Sequence, residues 1–124
     1  MLRDLQIAEM MGRKNMGIFL RSSMQLIGVL DYMEQTDNKK RSIGLIMIHK
    51  EFQKHGFDLE IIKAFLEWCR RQEFFNIQVA VLENNPLALK FWSHLGFKQY
   101  SIKEKRTPLE LRKLICLHLS LDSK

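Results

Sequence analysis

Apolar runs separated by short polar segments divide the chain into candidate strands and helices. The first segment, 2–11, mixes apolar and charged positions in a pattern that predicts a short helix. The later runs are rich in the β-branched and aromatic residues typical of strands and lie between polar turns. They predict strands at 17–21, 25–34, 42–49, 77–82, 97–105 and 113–121. Because 42–49 is apolar at almost every position, we expect this strand to lie in the middle of a sheet that is covered on both faces.

The period of the apolar positions changes to that of a helix after residue 58. Apolar residues from Leu59 to Cys69 fall at helical spacing, and charged residues occupy the opposite side. A shorter helix is predicted over 87–95, because Pro86 is tolerated in a first turn and Gly96 is the usual residue at a left-handed helix end. The order of elements favours an α/β (α+β) fold, in which helices flank a mixed, mostly antiparallel central sheet.

The length and composition bound the class of protein. The chain has 124 residues, which fits a single domain over 1–124. Hydrophobic residues make up 46% and charged residues 27% of it, a balance that excludes disordered and collagen-like chains. No apolar run approaches the roughly 20 residues that a membrane-spanning helix needs, and no signal-like apolar stretch follows the charged N-terminus. We therefore expect a cytoplasmic protein with no membrane association.

Cysteines and histidines give no sign of a metal centre or a disulfide scaffold. Cys69 and Cys116 are the only cysteines, and they lack the paired spacing of a zinc site. The four histidines show no metal-ligand spacing with one another or with a carboxylate. We assign no metal.

The formal net charge of +6 is compatible with a polyanionic partner. Basic clusters at 39–41 and 103–106 would support a nucleic-acid-binding domain. However, no helix-turn-helix, RRM or zinc-finger pattern accompanies them, and both clusters fall in predicted turns or strand ends, where solvated side chains are usual. Nucleic acid is therefore a disfavoured partner.

The segment 48–58 leaves a predicted buried strand and enters the first amphipathic helix. A loop in this place presents backbone N–H groups and the positive end of a helix to an anion. The segment has one glycine, Gly56, and matches neither a P-loop nor a dinucleotide-binding fingerprint. On its own it is more typical of a simple turn.

A second segment, 85–97, follows after another predicted strand, and the two together resemble the GNAT superfamily of N-acetyltransferases. The first family motif, Gln/Arg-x-x-Gly-x-Gly/Ala, is matched by Gln53, Gly56 and, imperfectly, Asp58. The second motif is Asn-x-x-Ala-x-x, then an aromatic or aliphatic residue and Tyr, ending in Gly-Phe. It is matched by Asn85, Ala88, Phe91, Trp92, Gly96 and Phe97, with Trp92 in the place of the Tyr. The resemblance covers roughly 17–105.

The resemblance implies acetyl-CoA as the cofactor, bound in a gap where the strands ending near Ile48 and Leu82 separate. The segment 53–58 and the start of the next helix would hold the pyrophosphate through main-chain amides, and strand-edge groups would meet the pantetheine. The cofactor-binding residues implied in this way are Met47, Ile48, Gln53, Lys54, His55, Gly56, Phe57, Asp58, Asn85, Ala88, Phe91 and Trp92.

The sequence departs from the family pattern at two residues and at its N-terminus. Asp58 stands where Gly or Ala is preferred, and a carboxylate beside a pyrophosphate is electrostatically unfavourable. Trp92 replaces a Tyr that many relatives use to protonate the departing thiolate, and an indole N–H is not a practical proton donor. Because only 1–14 precede the first matched strand, we expect the first strand of the family fold to be missing.

The reaction implied is transfer of the acetyl group from acetyl-CoA to a primary amine by direct attack, the acceptor being an unidentified small molecule or peptide. The catalytic residues are unknown. Glu34 is a candidate general base, although an exposed strand-end residue is the commoner role for such a side chain. The acceptor site is open, built by a partner subunit in a homodimer, or absent. The alternative function is a non-catalytic GNAT-like module that binds CoA or another protein.

Overall fold

The computed structural model describes residues 5–9 and 15–121, with only the backbone described at Lys54 and His55. The described chain forms seven strands, a 3₁₀ helix at Lys50–His55 and two α-helices. The strands are β1 (Leu5–Glu9), β2 (Asn15–Leu20), β3 (Leu26–Gln35), β4 (Lys40–Ile48), β5 (Asn76–Leu82), β6 (Lys98–Arg106) and β7 (Leu111–Ser120). The α-helices are α1 (Phe57–Arg71) and α2 (Pro86–His94).

The strands form one mixed sheet in the order β1-β2-β3-β4-β5-β7-β6. The β4–β5 pair is parallel and is connected through α1, and the other neighbours are antiparallel. The predicted fold class and the two helices predicted after residue 58 are therefore confirmed. A parallel neighbour requires a long crossover, which the amphipathic α1 supplies while it buries its apolar stripe against the sheet.

The N-terminal prediction is wrong within the described residues. The pattern of 2–11 predicts a helix, but 5–9 form the edge strand β1. The strand that was expected to be missing before residue 15 is therefore present. β1 pairs with β2 in antiparallel register, and Leu5 lies opposite Leu20 with only 1% of its surface exposed. Burial of Leu5 and the ladder with β2 outweigh the helical pattern of so short a segment.

The core lies between the helices and one face of the sheet. Helix α1 contributes its buried face, and Trp92 and Phe97 from the region of α2 belong to the same cluster. Both cysteines are buried and free. Burial raises the pKa of the Cys69 thiol to about 11, so this group is a protonated core residue at neutral pH.

The opposite face of the sheet exposes apolar side chains along β3 and β4. Met33, Leu45 and Met47 are 70%, 50% and 60% exposed, and we call this surface the open face. In the paired strands they alternate with Leu30, Tyr32 and Ile43, which are buried in the core. The expectation that 42–49 is covered on both faces is therefore wrong, although β4 does lie in the middle of the sheet.

Candidate functional site

Strands β4 and β5 separate after a short paired region and leave a gap in the sheet. Their parallel pairing covers 40–43 against 76–79. Beyond it, β4 stays paired with β3 as far as Ile48, and β5 stays paired with β7 as far as Leu82. The edges 44–48 and 80–82 therefore face each other without a ladder between them. Backbone N–H and C=O groups along such edges need another partner, such as water or a ligand with amide groups of its own.

A β-bulge lies at the point where the two strands separate. Asp31 pairs with Leu45 and Tyr32 pairs with Ile43, so Gly44 is an extra residue on β4. A bulge bends its strand and increases the local twist, and the pairing of β4 with β5 ends directly before it, at Ile43. A glycine inside a strand pattern is the one local signal of this bulge.

The 3₁₀ helix closes the end of β4 against the start of α1. His49 caps it by accepting the Glu51 N–H at its Nδ1 atom, at 3.3 Å. The Nε2 atom of Gln53 donates to the Ile48 carbonyl at 3.0 Å, which ties the loop to the last residue of the strand. The sequence predicts a loop or simple turn here, and the contacts of Gln53 and His49 show a turn with 3₁₀ structure.

Gly56 joins the 3₁₀ helix to α1 in a left-handed conformation, with φ of 69°. It is the N-cap of α1 and makes no side-chain cap hydrogen bond. The first N–H groups of an α-helix have no partner within the helix, so the first turn of α1 presents amide donors and a positive dipole end. Asp58 lies exposed in this turn, whereas Phe57 is buried and its ring stacks on Phe52 at 6.3 Å between centroids.

Helix α2 begins at the far side of the gap. The Oδ1 atom of Asn85 accepts the Ala88 N–H at 3.2 Å, so Asn85 is an ordinary N-cap, followed by Pro86 in the first turn. Ala88 and Phe91 are half-buried. Trp92 is 7% exposed, and its ring packs edge-on against Phe91 and Phe97, so it lies in the core.

A groove of about 610 Å³ lies between α1 and α2, and we call it the basic groove. It is lined by Leu59, Lys63, Leu87, Lys90, Phe91, His94 and Leu95. Three of these side chains carry basic groups above an apolar floor, and Leu59 is in the first turn of α1. The sequence analysis did not predict the groove. The spacing of Lys90 and His94, one helical turn apart, does predict that both basic side chains lie on one face of α2.

The structure places Glu34 away from the gap. Its Oε1 atom accepts a hydrogen bond from Arg41 Nε at 2.9 Å. The two residues pair across β3 and β4, on the side of the sheet where Arg41 stacks on Trp68. The Glu34 carboxylate therefore lies beside the paired half of β4, where Arg41 binds it, and its part as a base stays a prediction.

Neither a metal-binding cluster nor a membrane-spanning helix is found among the residues that the structure describes. Among these residues no group of three or more His, Cys, Asp and Glu side chains is arranged to hold a metal ion. No described helix has both the length and the apolar character to cross a membrane.

Comparison with known families identifies the fold. The model of the acetyltransferase (GNAT) family matches residues 3–97. The chain belongs to this family. The resemblance found in the two sequence motifs is therefore confirmed for this GNAT protein. A comparison with curated protein sequences returns no match.

Two solved structures with the same fold are named as N-acetyltransferases and have low sequence identity to this chain. The ribosomal-protein-S18-alanine N-acetyltransferase from Escherichia coli is 12% identical, with a TM-score of 0.75 over 94% of this chain and 74% of that one. A dodecameric spermidine N-acetyltransferase from Vibrio cholerae is 17% identical, with a TM-score of 0.75 over 86% of this chain. The GNAT chain described here covers 64% of that enzyme's length.

Proposed function

We propose that the protein binds acetyl-CoA in the gap between β4 and β5 and transfers its acetyl group to a primary amine. One observation carries the proposal: the unpaired edges 44–48 and 80–82 open beside the uncapped first turn of α1. A ligand that carries amide groups at one end and phosphates at the other fits both features. The pantetheine amides would complete the strand edges as an added strand does, and the pyrophosphate would accept the α1 amides.

Each predicted cofactor-binding residue is assigned to one part of the acetyl-CoA site. Ile48 offers backbone groups along the gap, Met47 lies beside it with its carbonyl directed toward β3, and Gly56 lets the chain turn closely into α1. Lys54, His55 and Phe57 belong to the same turn, and Asn85, Ala88 and Phe91 form the opposite wall. The Ile48 carbonyl already accepts Gln53, so Gln53 holds the loop in place. Trp92 supports α2 from the core.

The basic groove extends the phosphate site toward α2. Lys63 and Lys90 line it together with apolar side chains, a combination that suits a purine nucleotide carrying a further phosphate. The exposed Asp58 carboxylate lies in the same turn as the amides and opposes anion binding there. The lysines of the groove offset this charge, so we propose that the 3′-phosphate of CoA lies in the basic groove.

Acetyl-CoA would supply the acyl group as a thioester, which a neutral amine attacks so that a C–N bond forms, the C–S bond breaks and CoA leaves as its thiolate, which is protonated by water. A backbone N–H on the unpaired edge of β4 would polarise the acetyl oxygen during this attack. Because Glu34 is held by Arg41, the amine proton leaves through water rather than through that carboxylate.

The open face borders the gap and gives the acceptor a route to it. Met33, Leu45 and Met47 make this surface apolar. Asp31, which pairs with Leu45 across β3 and β4, adds a carboxylate to it. The similar solved enzymes are named for spermidine and for an alanine of a ribosomal protein. A polyamine carries several charges that need several carboxylates, so the apolar surface favours a peptide amine as the acceptor.

The test has a binding arm and a transfer arm. Calorimetric titration with acetyl-CoA and thermal melting with CoA should show binding and a raised melting temperature, because a ligand selective for the folded state stabilises it. Absence of both effects at millimolar ligand contradicts the proposal. Peptides with free N-termini and spermidine are then compared as acceptors by mass spectrometry, and we expect acetylated peptide.

A second candidate function is a non-catalytic module that binds CoA. The buried Trp92 favours it, because this residue leaves no hydroxyl acid at the position where relatives of the family carry a tyrosine. Tight binding of acetyl-CoA with no acetylated peptide or polyamine would support this function over the enzyme.

A further inference from the structure

We propose that Gly28 is a positioning residue that sets the place of the β4 backbone at the gap. Gly28 lies on β3 opposite Ile48, the last residue of β4. A Cβ atom at Gly28 would lie 2.5 Å from the Met47 carbonyl oxygen and 3.2 Å from the Ile48 Cα atom. The inference rests on the proposed function, because Met47 and Ile48 form the gap edge assigned to acetyl-CoA.

The glycine is needed for space and not for its backbone angles. Gly28 is absent from the residues with positive φ, whereas Gly56 and Gly96 have φ of 69° and 98°. An alanine at position 28 therefore meets no conformational penalty of its own. What it meets is the main chain of β4, which cannot rotate out of the way as a side chain can.

Two other glycines in strands can be compared with Gly28 by the atoms that an added Cβ would contact. A Cβ at Gly17 would meet the Phe19 ring at 2.7 Å, and the ring can turn aside. A Cβ at Gly44 would make an ordinary contact with the Asp31 carbonyl oxygen at 3.6 Å. Among these three, Gly28 is the position where a methyl group must displace backbone.

The displacement would reach the parts of the site that hold the ligand. The Met47 oxygen would have to move from 2.5 Å to at least 3.0 Å from the new methyl group, the shortest separation that such contacts tolerate. Ile48 moves with it, and the Ile48 carbonyl anchors Gln53. The next residue, His49, donates its N–H to the Ile27 carbonyl at 2.7 Å, so the 3₁₀ helix is tied to the same stretch of β3.

The test compares Gly28→Ala with the matched control Gly17→Ala. Gly17 lies on β2, and β3 separates it from β4. Calorimetric titration gives the dissociation constant for acetyl-CoA, and circular dichroism reports cooperative melting. We expect at least tenfold weaker binding for Gly28→Ala and a change of less than twofold for Gly17→Ala. Where product forms, KM for acetyl-CoA should rise more than kcat falls, which a general loss of folded protein would not produce.

A second variant separates the backbone contact from a side-chain contact. The Ile18 Cδ1 atom lies 3.2 Å from the same Cβ position, and Ile18→Val removes that atom. Gly28→Ala/Ile18→Val should fold more readily than the single variant and still bind weakly, because the Met47 carbonyl is unchanged. Wild-type affinity in the double variant, or in a folded Gly28→Ala, overturns the inference while the proposed function stands. A wild-type protein that does not bind acetyl-CoA overturns both.

Discussion

Arg41 is a buried charge whose partners come from both the sheet and the helix above it. It is 4% exposed, and besides Glu34 it donates to the Gln72 side chain at 2.6 Å. Its guanidinium lies 3.9 Å from the centroid of Trp68 and 3.8 Å from that of Phe74. A planar cation can form the ion pair and stack on rings at the same time, which a lysine cannot do as well. Arg41 therefore fixes α1 over the paired half of β4.

The ion pair between Arg41 and Glu34 predicts that removing the arginine alone destabilises the protein more than changing both residues. Arg41→Met keeps much of the packing volume but removes the buried guanidinium that binds the half-buried Glu34 at 2.9 Å, so we expect a loss of about 3–5 kcal/mol in the free energy of unfolding. Arg41→Met/Glu34→Gln should recover part of that loss, because no charge is then left uncompensated. Urea denaturation measures both variants.

The exposed pair Arg112–Glu110 is the matched control for this prediction. Its two atoms are 2.6 Å apart, but both side chains are about half exposed. Arg112→Met should cost less than about 1 kcal/mol. Equal losses for Arg41→Met and Arg112→Met would contradict the account of Arg41 as a buried linker.

At the scale of elements, local patterns in the sequence were enough for most of the sheet and both α-helices. The stripe of α1 and the apolar runs are properties of neighbouring residues, so their period can be read directly. β1 was missed because a five-residue edge strand depends on its pairing with β2. The bulge at Gly44 and the close approach at Gly28 depend on the register between β3 and β4, which no local pattern encodes.

The same distinction applies to the candidate site. The two family motifs pointed to the loop before α1 and to the start of α2, because both are short contiguous segments. The basic groove combines residues from α1 and α2 that are distant in the sequence, and only their packing brings them together. The partner of Glu34 is also set by packing, since its position at a strand end does not reveal the arginine that binds it.

The basic groove gives a prediction at the scale of these two helices. If it holds the 3′-phosphate of CoA, Lys90→Gln should weaken CoA binding up to about fivefold, since an exposed ion pair contributes about 0.2–1 kcal/mol. Dephospho-CoA lacks that phosphate, so its affinity should be the same for wild type and variant. Lys103→Gln, on the exposed edge strand β6, should change neither affinity. Equal weakening of both ligands by Lys90→Gln would place the 3′-phosphate elsewhere.

At the scale of the whole molecule, the sheet consists of two antiparallel parts joined at one parallel seam. One part is β1-β2-β3-β4 and the other is β5-β7-β6. The seam pairs 40–43 with 76–79, and α1 connects the same two strands across the face of the sheet. A ligand in the gap beyond the seam would contact both parts. Binding should therefore protect backbone amides on β4 and on β5, and not only those of one loop.

Hydrogen exchange can detect this bridging. In the free protein, amides of 44–48 and 80–82 that point into the gap have no ladder partner and should exchange rapidly. Saturating acetyl-CoA should slow these amides at least tenfold on both strands, together with those in the first turn of α1. The outer strand β6 is the internal control, since it lies at the far edge of the sheet and should exchange at the same rate with and without ligand. Protection confined to α1 would mean that the phosphates bind at the helix while the pantetheine stays outside the gap, and the proposed site would be wrong.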